Sequence, residues 1–174
     1  MKRPSILAGV LVVLLAAVMV FYLQRPQHLV ITETQINAAV QKKFPISKTF
    51  WRFDITCSDP HVTLLPETNR VEIGLDLAVN VTNFPMLKWR GSVVAASGLA
   101  YSNETKQFFL SQPTINKLTI PGIPQQYLDK VTDYVSNLAG NRLQEIPVFT
   151  WTDSRAVLVK DIQVKNGKVD VAIR

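Results

Sequence analysis

The chain is poor in the residues that carry chemistry. Its 174 residues include one cysteine, Cys57, and two histidines, His28 and His61. A lone cysteine forms no internal disulfide, so the fold does not depend on one. A domain of this size needs no such staple, and an oxidising compartment stays open. Charge is also scarce: 18% of residues are charged, against 47% hydrophobic. Of the formal net charge of +6, Lys2, Arg3 and Arg25 supply three, and no basic run is longer than Lys42-Lys43. The clustered charge on one face that nucleic-acid binding requires is missing. So are Gly-x-Ser-x-Gly, His-Glu-x-x-His and a glycine-rich phosphate loop. The nearest approach to a constellation is Cys57-Ser-Asp59-Pro-His61. A thiol, a carboxylate and an imidazole at two-residue spacing could share one face of a strand and bind a metal, but Pro60 interrupts the strand and no fourth ligand is offered. Glu72 and Asp76 fall on the polar face of a strand, where solvation explains them. No catalytic residue, metal or cofactor is expected, and the chain is read as a non-enzyme.

What is present is apolar. Ile6 to Leu23 run for 18 positions without a charged or strongly polar side chain, about 27 Å as a helix and close to the thickness of a bilayer core. Lys2 and Arg3 precede the run, which orients its start towards the cytoplasm. Gln24-Arg25-Pro26 ends it. A cleavable signal peptide is the rival reading, but its apolar region is shorter and needs small residues at the cleavage site, where this chain has Phe21-Tyr22-Leu23. The expectation is a single-pass inner-membrane anchor over residues 1–25 and one periplasmic domain over 26–174.

Within that domain Thr32-Glu-Thr-Gln35 forms a capping box, and Ile36, Ala39, Val40 and Phe44 mark one face of a short helix stopped at Pro45. Mixed strands follow over Ser47–Cys57 and His61–Leu65. From Arg70 to Thr82 every odd position is apolar, the pattern of a half-buried antiparallel strand. Trp89–Tyr101 is apolar on both faces. Lys106–Ile120 is its partner, with a bulge or edge position expected at Pro113. The period then changes, and Leu128, Val131, Tyr134, Val135 and Leu138 recur at helical spacing in a helix expected from Pro124 to Ile146. Lys165-Asn-Gly-Lys168 is a two-residue hairpin turn that pairs Val164 with Val169 and Ile162 with Val171. The order of elements is α+β: a transmembrane helix, a short helix, an antiparallel sheet and one long amphipathic helix.

Ile31-Thr-Glu-Thr-Gln-Ile-Asn37 resembles the ITE-x-x-IN opening of the YceB-like bacterial envelope lipoproteins, a family of unknown function. Gly98–Tyr101, Phe108–Leu110, Pro147–Phe149 and Val164–Val171 are similar to the same family. The resemblance implies a curved antiparallel sheet wrapped along the long helix, like half of a tubular lipid-binding protein. Its groove would be lined by Val71, Ile73, Leu75, Leu77, Val79, Val93, Leu99, Leu128, Val131, Val135 and Leu138. The acylated cysteine of the lipoproteins is absent, and the helix from Ile6 to Leu23 would replace it. Two readings of function stay open: a protein that binds a lipid or other apolar ligand in that groove, or a non-enzymatic envelope interaction factor with a packed core.

Overall fold

The computed structural model describes residues 27–152 and 158–173. The described residues start with strand β1 (Gln27–Thr32) and helix α1 (Glu33–Gln41). Five strands follow: β2 (Ile46–Phe50), β3 (Phe53–Leu65), β4 (Arg70–Val81), β5 (Phe84–Ser102) and β6 (Gln107–Thr119). Helix α2 (Gln125–Arg142) then leads to β7 (Pro147–Thr150), β8 (Val159–Lys165) and β9 (Lys168–Ile173). Strands β2 to β7 form one six-stranded antiparallel sheet in sequence order. The order β1-β9-β8 makes a second, three-stranded sheet.

Two expectations are corrected. The α+β assignment gives way to a mostly β domain, about 60% strand and 22% helix. The cause is strand length: β3, β4, β5 and β6 run 13, 12, 19 and 13 residues, where ordinary strands have about 5 or 6. The transmembrane helix finds no support either: among the described residues no helix is long and apolar enough to cross a membrane. The segment assigned to it, Ile6 to Leu23, lies outside the described residues. Helix α2 is also shorter than its apolar period suggests. Pro147 disfavours helical backbone at the residue before it, Ile146 is extended at φ −85°, ψ 111°, and Leu143–Glu145 tighten into a 3-10 turn.

The long strands persist because breaks in the pattern are absorbed as bulges. Asp59 takes φ 48°, and the β3–β4 register shifts between Ser58 and His61. That irregularity carries one strand through Pro60, where two were expected. Gln112 takes φ 48° beside Pro113, and the β5–β6 register shifts there, the bulge expected from the proline. The Arg70 Nη2 donates to the carbonyls of Ala96 (3.0 Å) and Gln112 (3.2 Å), supplying partners at the disturbed ladder.

Helix α1 reveals the curvature. It packs against both β3 and β7, which stand four places apart in the sheet order. In a flat sheet they would be about 19 Å apart, further than a nine-residue helix is long at 1.5 Å per residue. The sheet therefore curls around it, with Ile36 and Val40 buried inside. Thr32 and Gln35 form the expected capping box, with the Gln35 amide donating to Thr32 Oγ1 at 3.3 Å and the Thr32 amide to Gln35 Oε1 at 2.9 Å.

The same helix closes an open edge. β2 pairs with β3 only as far as Cys57. Beyond it the amide of Val62 donates to Asn37 Oδ1 at 3.3 Å and that of Leu64 to Glu33 Oε2 at 3.0 Å. Side chains four apart on a helix and amides two apart on a strand both repeat every 6 Å or so, and the match satisfies donors that water or another chain would otherwise take. The expected hairpin turn is present with its register, Val164 opposite Val169 and Ile162 opposite Val171. Asn166 (φ 50°) and Gly167 (φ 69°) supply the positive angles that turn needs.

Candidate functional site

The inner face of the sheet is the odd-numbered face of β4 and of β3 as far as Cys57; past the bulge at Asp59 it passes to the even positions Val62 and Leu64. Val71, Ile73, Leu77 and Val79 are at most 2% exposed, so they are core. Leu75 and Val93 belong to the same face. Helix α2 lies over it and buries only part of itself: Val131 and Val135 are fully buried, while Tyr127, Leu128, Tyr134 and Leu138 are half-buried. The hydrogen bonds of Gln125, Thr132 and Asn137 stay inside the helix. Aromatic rings hold it from below. Phe50 stacks on Tyr134 at 4.5 Å, and Phe53 meets Tyr127 edge-on at 5.4 Å. Stacked rings tolerate sliding that a hydrogen bond does not. At the start of the helix, Trp89 Nε1 donates to the Gly122 carbonyl at 3.1 Å.

Beneath the C-terminal half of α2 is an apolar cavity of about 20 Å³, room for about one water molecule. Leu75, Val93, Val135 and Leu138 of the expected groove line it, joined by Phe44, Ile46, Cys57, Ala95, Ile115 and Leu143. Arg142 is the one charged residue in its wall. Leu99 lies elsewhere, in a surface depression with Val159 and Ile162. The seam is thus largely packed. Burial pushes the Cys57 thiol up to about 11 from its ordinary 9.0. The Tyr134 phenol is raised by burial first and then by Cys57, with Arg142 opposing.

A second depression adjoins this cavity. Lys43, Lys48 and Arg142 share it with Pro45, Ile46, Ser47 and Ile146, and Ile46 and Arg142 belong to both. Three cations therefore meet at the mouth of an apolar seam. The pattern reading missed them, because Lys43, Lys48 and Arg142 come from three separate segments and no local period joins them. Phe44 and Ile115 escaped for the same reason.

Cys57, Asp59 and His61 do not form a site. Cys57 faces the core at 3% exposure, while Asp59 and His61 point outwards at the bulge. Among the described residues no group of three or more metal-ligating side chains comes together.

These features define a class: a small, curled antiparallel sheet closed by a laterally held amphipathic helix, with an apolar seam and a basic mouth. The chain belongs to the family described as "Protein of unknown function (DUF1439)", whose sequence model matches residues 31–168. That span opens on the capping-box segment and ends at the last hairpin. No curated protein matches the chain. A crystal structure of a lipopolysaccharide binding protein is similar at a TM-score of 0.43 and 11% identity, over 84% of this chain. The chain spans 40% of the length of that protein.

Proposed function

We propose that the domain binds a lipid or similar amphiphile, its apolar part between the sheet and α2 and an anionic group at Lys43, Lys48 and Arg142. The carrying observation is the junction of an apolar seam with a three-cation mouth through Ile46 and Arg142. An acyl chain needs far more space than the cavity now has, since ligand sites run to roughly 300 Å³ and above. Binding therefore requires α2 to move off the sheet, and its aromatic, sliding contacts suit that motion. The protein acts by binding, without catalysis. The narrower YceB-like envelope affiliation belongs to this proposal.

Lipid extraction and native mass spectrometry of the purified full chain test it. A copurifying amphiphile that Leu138→Trp displaces is the expected result, with Arg142→Glu weakening anionic ligands more than neutral ones. Recovery unchanged by Leu138→Trp would sink the seam as its location. The small cavity favours a second reading, an interaction factor with a packed interior. Finding no bound amphiphile in the wild type would leave that reading in place.

A further inference from the structure

Four of the six large hydrophobic residues exposed among the described residues sit on two adjacent turns: Trp51 (55%), Phe84 (59%), Met86 (94%) and Leu87 (48%). The turns are joined, because the Thr82 amide donates to the Arg52 carbonyl at 2.9 Å. Ordinary hairpin geometry does not explain them. Asn80 pairs with Lys88 and Val81 with Phe84, so one step along β4 spans four along β5. Pro85, Met86 and Leu87 are extruded from the ladder, and Met86 is almost wholly exposed. Across the turn, Trp51 sits at φ 56°, a conformation in which a bulky side chain is strained. A glycine or asparagine would turn the chain with less strain.

The charge around the patch is mostly basic. From residue 77 to residue 103 the only charged residues are Lys88 and Arg90. Arg52 and Lys130 lie over the Trp51 ring, at 4.4 and 4.1 Å from its centre. Two carboxylates also stand on the flanking elements, Asp54, which accepts from Thr49 Oγ1 at 2.7 Å, and Asp129, which accepts from Gln125 Nε2 at 2.9 Å. Exposed indole, methionine and leucine ringed by Lys and Arg match the interface of an anionic bilayer, where apolar tips enter the acyl boundary and cations meet phosphates.

We infer that this pair of turns docks on the surface of an anionic lipid bilayer. The patch adjoins the lid helix, since Lys130 belongs to α2. This inference extends the lipid-binding reading without depending on occupancy of the seam.

The test uses the full chain reconstituted in vesicles, with Met86→Cys carrying an environment-sensitive fluorophore and nitroxide lipids as shallow quenchers. Wild-type Cys57 is the labelling control, being buried. In phosphatidylglycerol-containing vesicles the label at 86 is expected to shift blue and be quenched. A label on Glu104→Cys, on the turn at the other end of the sheet, is expected to stay in water. In pure phosphatidylcholine, or with Lys88→Glu and Arg90→Glu together, quenching is expected to fall about tenfold. A label at 86 that stays in water in anionic vesicles overturns the proposal. So does quenching indifferent to lipid charge and to the reversals, or a blue shift without lipid that grows with protein concentration, which would identify a second copy as the occupant. The label reports docking whether or not the seam is filled, and extraction reports the seam whether or not the tip docks.

Discussion

At the scale of single residues, Cys57 is a titrating group held where its charged form is unwelcome. Its thiol is raised to about 11 by burial. The folded state then keeps a proton that the unfolded state sheds from pH 9 upwards, so stability is complete below about 9 and falls as pH rises towards 11. The loss should approach 2 to 3 kcal/mol. Denaturant melts of wild type and Cys57→Ala at pH 8 and pH 10.5 check it: the gap between the two should move in the variant's favour at high pH. Gly91 is a second such position. A Cβ there would strike the Thr119 carbonyl oxygen and crowd Ile120, both backbone neighbours that cannot swing aside. Gly91→Ala is expected to cost about 2 kcal/mol or more and to shift the β6 end that leads into α2, read by thermal melting and by amide exchange at Thr119. Arg70 is a third. Arg70→Ala leaves two strand carbonyls without their charged donor and should cost roughly 1.5 to 3 kcal/mol, while Arg70→Lys, lacking the planar fork, should recover only part. The roles of Gly91 and Arg70 do not show in the sequence, because each depends on a neighbour more than twenty residues away.

At the scale of elements, legibility followed period and turn chemistry. The twelve-residue alternation of β4 matches its burial residue by residue, and the Asn166-Gly167 turn set the register of β8 and β9. Where a rule of thumb says that proline ends a strand, the reading failed at Pro60, because a single residue at positive φ absorbed the misfit. β1 is not legible in the sequence, since its partner β9 lies more than a hundred residues away. The segment Ile31–Asn37 shows why a signature can be structural. Ile31 and Ile36 are fully buried, Thr32 and Gln35 cap the helix, and Glu33 and Asn37 bond the open edge of β3. Removing both edge bonds with Glu33→Ala and Asn37→Ala should destabilise the domain by about 1 to 3 kcal/mol. It should also raise the exchange of the Val62 and Leu64 amides ahead of their neighbours, and equal exchange across β3 would refute the edge-closing role.

At the scale of the whole molecule, the two sheets share one core, and one side chain adds hydrogen bonds between them. Asn69 sits at φ 54° after β3, receives the Val164 amide on Oδ1 at 2.6 Å and donates from Nδ2 to the Ile162 carbonyl at 3.2 Å. It stands in for a strand residue beside β8. Asn69→Gly keeps the backbone angle and removes both bonds, so it should loosen the three-stranded sheet while leaving the six-stranded one intact. Hydrogen exchange that rises in β8 and stays level in β4 is the expected signature. The candidate site could be read only as a face. The apolar rows of β4 and α2 were visible as periods, but the packed state of the seam and the cations at its mouth depend on three-dimensional closure.

The pairing of β1 with β9 sets a timetable as well as a contact. Gln27 meets Ile173 and Ile31 meets Val169, so β1 waits until β9 has been made before it has a neighbour. The long hairpins between β3 and β6 can pair before β9 exists, yet the three-stranded sheet cannot. A nascent chain lacking residues 168–173 carries an unpaired strand next to α1, and such edges recruit other chains. The contact between β1 and β9 thus forms late, and β1 is exposed to misassociation until β9 arrives.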